Sequence, residues 1–273
     1  MKRLILPIFI AITTTLFFSC DKIEIPLAEG STTPLPGEDT IVKRRVLIEE
    51  FTGQLCTSCP DGAREIERLV GEYGDQIIPI SIHSGGFATN GPDAATFVTT
   101  AGEDYSNTFG VSSWPAGIVS RVSNATVYGR TDWEAEYITI KDDAPYTDIT
   151  ITNTYNSGTR ALNIQVDTEW LLDGENGVNY KLQVYIIEDN IIAFQLDNGV
   201  SNPNYNHRHM LRDAVNTAWG EAVSTTSQGY KDTKSYTYTL DAGWNADNCE
   251  VVAFIYKEGP DYEVMQANIA HVK

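Results

Sequence analysis

Between residues 45 and 141 the apolar positions change period several times, and each change predicts an element. Val46-Leu-Ile-Glu-Glu-Phe51 is a short apolar run of strand type that breaks at Gly53. After Cys56-Thr-Ser-Cys-Pro60, residues Ala63, Ile66, Leu69, Val70 and Tyr73 recur at helical spacing. Pro60 suits the first turn of that helix, where its missing N–H costs nothing, and Gly74 suits its end. Gln76–Ile82 reads as a second strand. Asp93 to about Phe109 reads as helix, in two pieces or one weak one because Gly102 interrupts it. A strand around Ile118–Val122, a turn at Ser123-Asn124 and a strand to Tyr128 follow. Thr131-Asp-Trp-Glu134 has the form of a capping box that opens a helix to about Lys141. The predicted order is βαβαββα.

Asp142-Asp-Ala-Pro145 reads as a domain boundary, because beyond it the period becomes two. Ile149 and Ile151 alternate with Thr; Leu162, Ile164, Val166 and Thr168 keep step, as do Leu182, Val184 and Ile186. Further strands fit Tyr236–Leu240, Val251–Tyr256 and Tyr262–Ala270, with turn clusters at 173–177 and 241–243 between them. Short antiparallel strands at this spacing predict a β-sandwich of immunoglobulin-like type.

The first residues are of another kind. Lys2 and Arg3 precede an apolar stretch, Leu4–Phe18, that is short for a membrane span, which needs roughly 20 apolar residues. Ser19 then Cys20 resembles a lipobox, with a signal peptide at 1–19 and a lipid-bearing Cys20 at the new terminus. Phe17 and Phe18 depart from the usual lipobox residues. Several acyl chains on one Cys satisfy the requirement that stable anchoring needs more than one chain. Residues 20–44, with Pro26, Gly30, Pro34, Pro36 and Gly37, read as a tether. The membrane is therefore an expected partner, through the lipid on Cys20. The formal charge of −18 becomes about −20 once Lys2 and Arg3 are removed, which argues against nucleic acid as a partner.

Cys56 and Cys59 form a C-x-x-C pair at a strand-to-helix junction, in an exported chain where a disulfide is permitted. Amides at a helix N-terminus stabilise a thiolate on Cys56, and the Thr57 and Ser58 hydroxyls can add hydrogen bonds. Glu50 lies six residues before Cys56, where a half-buried carboxylate of raised pKa could take the proton of Cys59. A disulfide that only staples the helix start is the alternative. So small a loop gains little chain entropy on closure, which argues against stability as its whole purpose. Cys249 opens an apolar strand and reads as a small buried hydrophobe.

These features, with a Pro at the head of a later strand, resemble the thioredoxin fold over residues 45–143. The resemblance implies Cys56 as nucleophile, Cys59 as resolving thiol, Glu50 as proton acceptor and a cis bond between Trp114 and Pro115. Leu55 and Trp114 depart from the residues usual there and alter the docking surface for a substrate. At a finer grain, Val46-Leu-Ile-Glu-Glu-Phe-Thr-Gly53 running into the C-x-x-C-P motif, Asn206-His-Arg-His-Met-Leu-Arg212 and Cys249-Glu-Val-Val-Ala-Phe254 resemble lipoproteins related to the twenty-eight-kilodalton outer-membrane protein. That resemblance implies an α/β thioredoxin-like domain at 45–143, followed by an all-β immunoglobulin-like sandwich at 144–273. It also implies an outer-membrane lipoprotein, on the periplasmic or cell-surface face. Two functions follow as expectations: thiol–disulfide exchange on exported proteins, or a non-catalytic surface-binding or structural role with a structural disulfide. No cofactor is expected.

Other candidates are weaker. His207 and His209, two apart on an expected strand, lack a third ligand nearby in sequence, so no metal is expected. Asp241–Asn248 lacks calcium-loop spacing. Tyr230, Tyr236 and Tyr238 read as exposed aromatics that could form a ligand platform or simply pair across strands. Asn124-Ala-Thr126 reads as turn chemistry.

Overall fold

The continuous apolar run at the start of the folded region belongs to a strand covered on both faces. In the computed structural model, which describes residues 42–273, strand β1 (Val46–Thr52) is buried throughout. Val46 and Ile48 face one core with Ile66 and Leu69 of helix α1 (Cys59–Tyr73), while Leu47 and Phe51 face a second core. Two-residue alternation therefore sets Glu49 on the second face and Glu50 on the α1 face. Strand β2 (Ile77–His83) pairs parallel to β1, and β3 (Ala116–Val119) antiparallel to it. Between them lie short helices α2 (Gly85–Thr89), α3 (Ala94–Phe97) and α4 (Thr100–Thr108); the chain is extended at Val98, which forms a bridge to His83.

Strand β3 is shorter than the pattern predicts. After Val119 the chain turns left-handed at Ser120, Arg121 and Ser123–Ala125, and the following segment pairs with the sheet at a Gly117–Tyr128 bridge. Helix α5 (Trp133–Ile140) then covers β1 and β3 with Trp133, Tyr137 and Ile140. Its expected capping box is absent. Asp132 is the N-cap without a side-chain bond, and Glu134 instead accepts from Arg68 and from the Tyr73 hydroxyl.

The remaining chain supplies β4 (Thr147–Asn156), β5 (Ala161–Trp170), β6 (Tyr180–Glu188), β7 (Ile191–Asp197), β8 (Val200–His207), β9 (Met210–Ala214), β10 (Glu221–Ala222), β11 (Lys231–Thr239), β12 (Cys249–Lys257) and β13 (Val264–His271). An eight-stranded sheet runs β13-β12-β6-β9-β2-β1-β3, with β10 paired to β6. A three-stranded sheet, β11-β5-β4, packs Leu162, Ile164 and Val166 against Leu182, Val184, Val251 and Ala253 of β6 and β12. This is a mostly β architecture with helices at one end and a sandwich-like layer at the other. The boundary expected between residues 143 and 144 is spanned by the large sheet, because β9 hydrogen-bonds β2, and residues 42–273 form one compact unit. Among the described residues, no helix is long and apolar enough to cross a membrane.

Tyr236 and Tyr238 do not form an open platform. Their rings pack on the sandwich core, and their hydroxyls donate to Glu221 and to Asp213. A buried charge pair stands out in the second core. Arg121 Nε and Nη2 donate to both oxygens of Glu49 at 2.7 and 2.6 Å, and the guanidinium lies over Tyr105, Phe109, Phe254 and Tyr256.

Candidate functional site

Cys56 and Cys59 form a disulfide with Cα atoms 5.4 Å apart, in the turn that leads from β1 into α1. Cys59 is the first residue of the helix and Pro60 follows it, so the missing N–H of proline falls where no intrahelical acceptor exists. The Ser58 hydroxyl lies 3.9 Å from Cys56 Sγ, and the Cys59 amide donates to the Cys56 carbonyl at 3.4 Å. The Trp114–Pro115 peptide is cis, as is Gly259–Pro260. Pro115 comes to the same helix: a Cβ added to Gly62 would meet Pro115 Cβ at 2.9 Å and would clash with Glu50 Oε1. Gly62 thus lets the first turns of α1 lie directly over the carboxyl of Glu50.

Glu50 is more deeply placed than its sequence context predicts, at 1% exposure. Its Oε2 accepts from the Ser81 hydroxyl at 3.3 Å, and its Oε1 has no partner. Burial pushes its pKa up to about 8, against a smaller lowering by the Ser81 bond. Glu50, Cys59 and Ser81 all line a cavity of about 90 Å³ between α1, β2 and β8.

The same cavity gathers residues that are remote in sequence. His83, at the end of β2, is 3% exposed, and neither ring nitrogen has a partner. Its ring lies 5.4 Å from that of His207 and 5.0 Å from that of Phe97. Burial holds the pKa of His83 well below its ordinary value, and brings His207 down to about 4. His207 and His209 do not share a strand face: His207 ends β8 with Nε2 3.1 Å from the Phe194 carbonyl, whereas His209 has φ of +53° and sits beside Asp189 and Glu67. Among the described residues, no three histidine, cysteine or carboxylate side chains converge as a metal-ligand set.

What covers the disulfide carries no local mark in the sequence. Hairpin β7–β8 lies over residues 53–57. Leu196 N donates to the Gln54 carbonyl at 2.8 Å and Asn198 N to that of Thr57 at 2.9 Å. The Gln195 side chain donates to the Gly53 and Cys56 carbonyls, both at 3.2 Å, and Gln54 Nε2 donates to the Phe194 carbonyl at 2.8 Å. Both cysteines are consequently occluded, Cys56 at 2% and Cys59 at 1% exposure. Cys249 is buried as a free thiol, and desolvation raises its pKa to about 12. Cys20 and the signal and tether assignments up to residue 41 lie outside the described residues.

The family described as outer membrane protein Omp28 matches residues 102–273, well over half of the chain, and the chain belongs to that family. Its localisation is accordingly the outer membrane, as the sequence resemblance implies. Cys56 and Cys59 lie outside the matched segment, so membership does not speak to their chemistry. Among solved structures the chain is similar to HBP35 of Porphyromonas gingivalis, with a TM-score of 0.69 and 19% identity over 84% of this chain and 76% of that one. A protein from Agrobacterium tumefaciens aligns with a TM-score of 0.53 and 11% identity over 85% and 96%. A domain of the outer membrane lipoprotein Omp28 from P. gingivalis is 23% identical over 47% and 89%, with a TM-score of 0.34. No curated protein matches in sequence.

Proposed function

We propose that this outer-membrane protein is a lipoprotein, anchored through Cys20, whose Cys56–Cys59 pair exchanges disulfides with exported proteins. In this reading the 45–143 segment acts as a thioredoxin-like unit and the immunoglobulin-like sandwich as its support. Cys56 is the sulfur that forms the mixed disulfide, Cys59 resolves it, and Glu50 accepts the Cys59 proton, with Pro115 against the first turns of α1 at Gly62. The observation that carries the reading is the Glu50 carboxyl: buried, with one oxygen unpartnered, on the cavity that Cys59 lines. A disulfide that merely staples a helix has no use for such a group, whose burial is costly. Exchange requires the β7–β8 hairpin to lift from residues 53–57. Much of the hairpin surface is partly or fully exposed, so a local opening costs less than global unfolding.

Turnover of a glutathione-mixed peptide disulfide by the mature chain, abolished in Cys56→Ser, supports the proposal. No turnover by the wild type, with Cys56→Ser behaving identically, overturns it. The anchoring part stands on Ser19-Cys20 behind the apolar stretch. Labelling with a palmitate analogue should be lost in Cys20→Ala, and full labelling of that variant removes the anchor.

The second reading, a structural disulfide on a surface-binding protein, is favoured by one observation: both cysteines are buried, and the Gln195 side chain is hydrogen-bonded to the Cys56 carbonyl.

A further inference from the structure

Glu50 has no direct contact with solvent, yet a base that accepts a proton in every cycle must also release one. At neutral pH a carboxyl with a pKa near 8 is mostly protonated, so its proton has to leave before Cys59 can give up its own. The sheet, α1 and the hairpin close around it, and the cavity is the space through which that proton can move.

We infer that this cavity is the proton route between Glu50 and solvent, with His83 as the relay residue. The inference rests on the exchange reading above. Three buried polar atoms without partners, Glu50 Oε1 and both ring nitrogens of His83, belong to residues that line one cavity. Its volume of about 90 Å³ is several times what a single water needs. Buried polar atoms are rarely left without a partner, and water in a polar cavity is the usual one. At its outer lip the cavity is lined by Arg64, Glu67, Asn206 and Arg208, all solvent-exposed.

His83 suits a neutral relay. It is held uncharged by burial first, and further by its coupling to His207 and by the Arg212 guanidinium. A neutral imidazole carries one donor and one acceptor nitrogen, so it accepts a proton on one side as it gives one up on the other. His207 is committed to the Phe194 carbonyl, and His209 stands 3.2 and 3.6 Å from the carboxylates of Asp189 and Glu67, which leaves His83 as the lining histidine whose nitrogens have neither a hydrogen bond nor a carboxylate partner. Tyr205, the remaining titratable group of the lining, has its hydroxyl pKa raised by burial and stays a neutral phenol.

In the resolving step the Cys59 thiol gives its proton to the Glu50 carboxylate, and the thiolate attacks Cys56 Sγ. The Cys56–substrate S–S bond breaks, its electron pair leaves on the substrate sulfur, and that sulfur takes a proton from solvent. Glu50 is left protonated. Water in the cavity then carries its proton to His83, and His83 releases one toward the lip, which restores the carboxylate.

The experiment uses the reduced, full-length mature chain in detergent micelles, in excess over Ellman's reagent. The first release of thionitrobenzoate reports attack by Cys56; the second, first-order release reports attack by Cys59 on the mixed disulfide. His83→Phe should slow the second phase roughly tenfold, less than the 10²- to 10⁴-fold of a full general base, and leave the first within about twofold. His83→Ala should recover the second phase when imidazole is added, a rescue that a merely structural role would not show. Wild-type second-phase rates in both variants, with Glu50→Gln still slow, overturn the relay and leave Glu50 as the base. A second phase equally fast in Glu50→Gln removes Glu50 as the base and the relay with it, whereas the absence of any second release in the wild type overturns the exchange reading itself. If His83→Phe misfolds, the His83→Ala rescue decides alone: no acceleration by imidazole counts against the relay.

Discussion

Replacing Glu50 by Gln keeps the shape of the side chain and its acceptor for the Ser81 hydroxyl, while removing its ionisable carboxyl. The ordinary value of the carboxyl is 4.5, and burial raises it to about 8 in the folded chain. Between those values the folded state keeps a proton that the unfolded chain has lost, so stability falls as pH rises. This contribution is fully present below pH 4.5 and lost as pH passes through about 8. Over that span of roughly 3.5 pH units, at about 1.4 kcal/mol per unit, the wild type loses about 5 kcal/mol that Glu50→Gln does not. Urea unfolding of the oxidised mature chain and of Glu50→Gln at pH 5, 6.5 and 8.5 measures the difference. His83 and His207 are common to both proteins and cancel. The variant should be close to the wild type at pH 5 and several kcal/mol more stable at pH 8.5. A difference that stays flat across this range would refute the argument that the carboxyl is held protonated by burial.

Two further outcomes follow from other parts of the molecule. Removing either partner of the buried Glu49–Arg121 pair, as in Glu49→Gln or Arg121→Met, should cost about 3–5 kcal/mol, because the remaining group loses its compensation. The double variant Glu49→Leu with Arg121→Met should recover most of that in the same denaturant assay. Gln195→Ala removes the bonds to the Gly53 and Cys56 carbonyls. It should speed reduction of the disulfide by dithiothreitol roughly five- to tenfold, read by quenched alkylation, and an unchanged rate would show that the hairpin does not limit access.

The elements around the disulfide were legible because burial writes period into sequence. The unbroken run of β1, the helical spacing of α1 and the C-x-x-C-P at their junction all have one local explanation each. Three features carried no such mark. The Glu49–Arg121 pair joins residues 72 apart, and nothing in Ser-Arg-Val-Ser-Asn announces that its arginine is turned inward by a left-handed stretch. His83 and His207 meet only because the large sheet brings β9, just after β8, against β2. Strand β8, Val-Ser-Asn-Pro-Asn-Tyr-Asn-His, has the composition of a loop, and its hairpin is attached by backbone groups and two glutamines, which leave no hydrophobic period to read. The same reason explains why the boundary at residue 143 looked clean: a change of period records a change of element type, not a gap in the sheet.

The central claim, that Cys56 and Cys59 form an exchangeable pair rather than a staple, is tested most directly by their reduction potential. The full mature chain is equilibrated in thiol–disulfide buffers of graded potential, and the free Cys56 and Cys59 are counted by mass after alkylation. The account predicts a potential above about −300 mV, the level below which structural disulfides typically lie. A value well below that line, unmoved by Glu50→Gln, would contradict it.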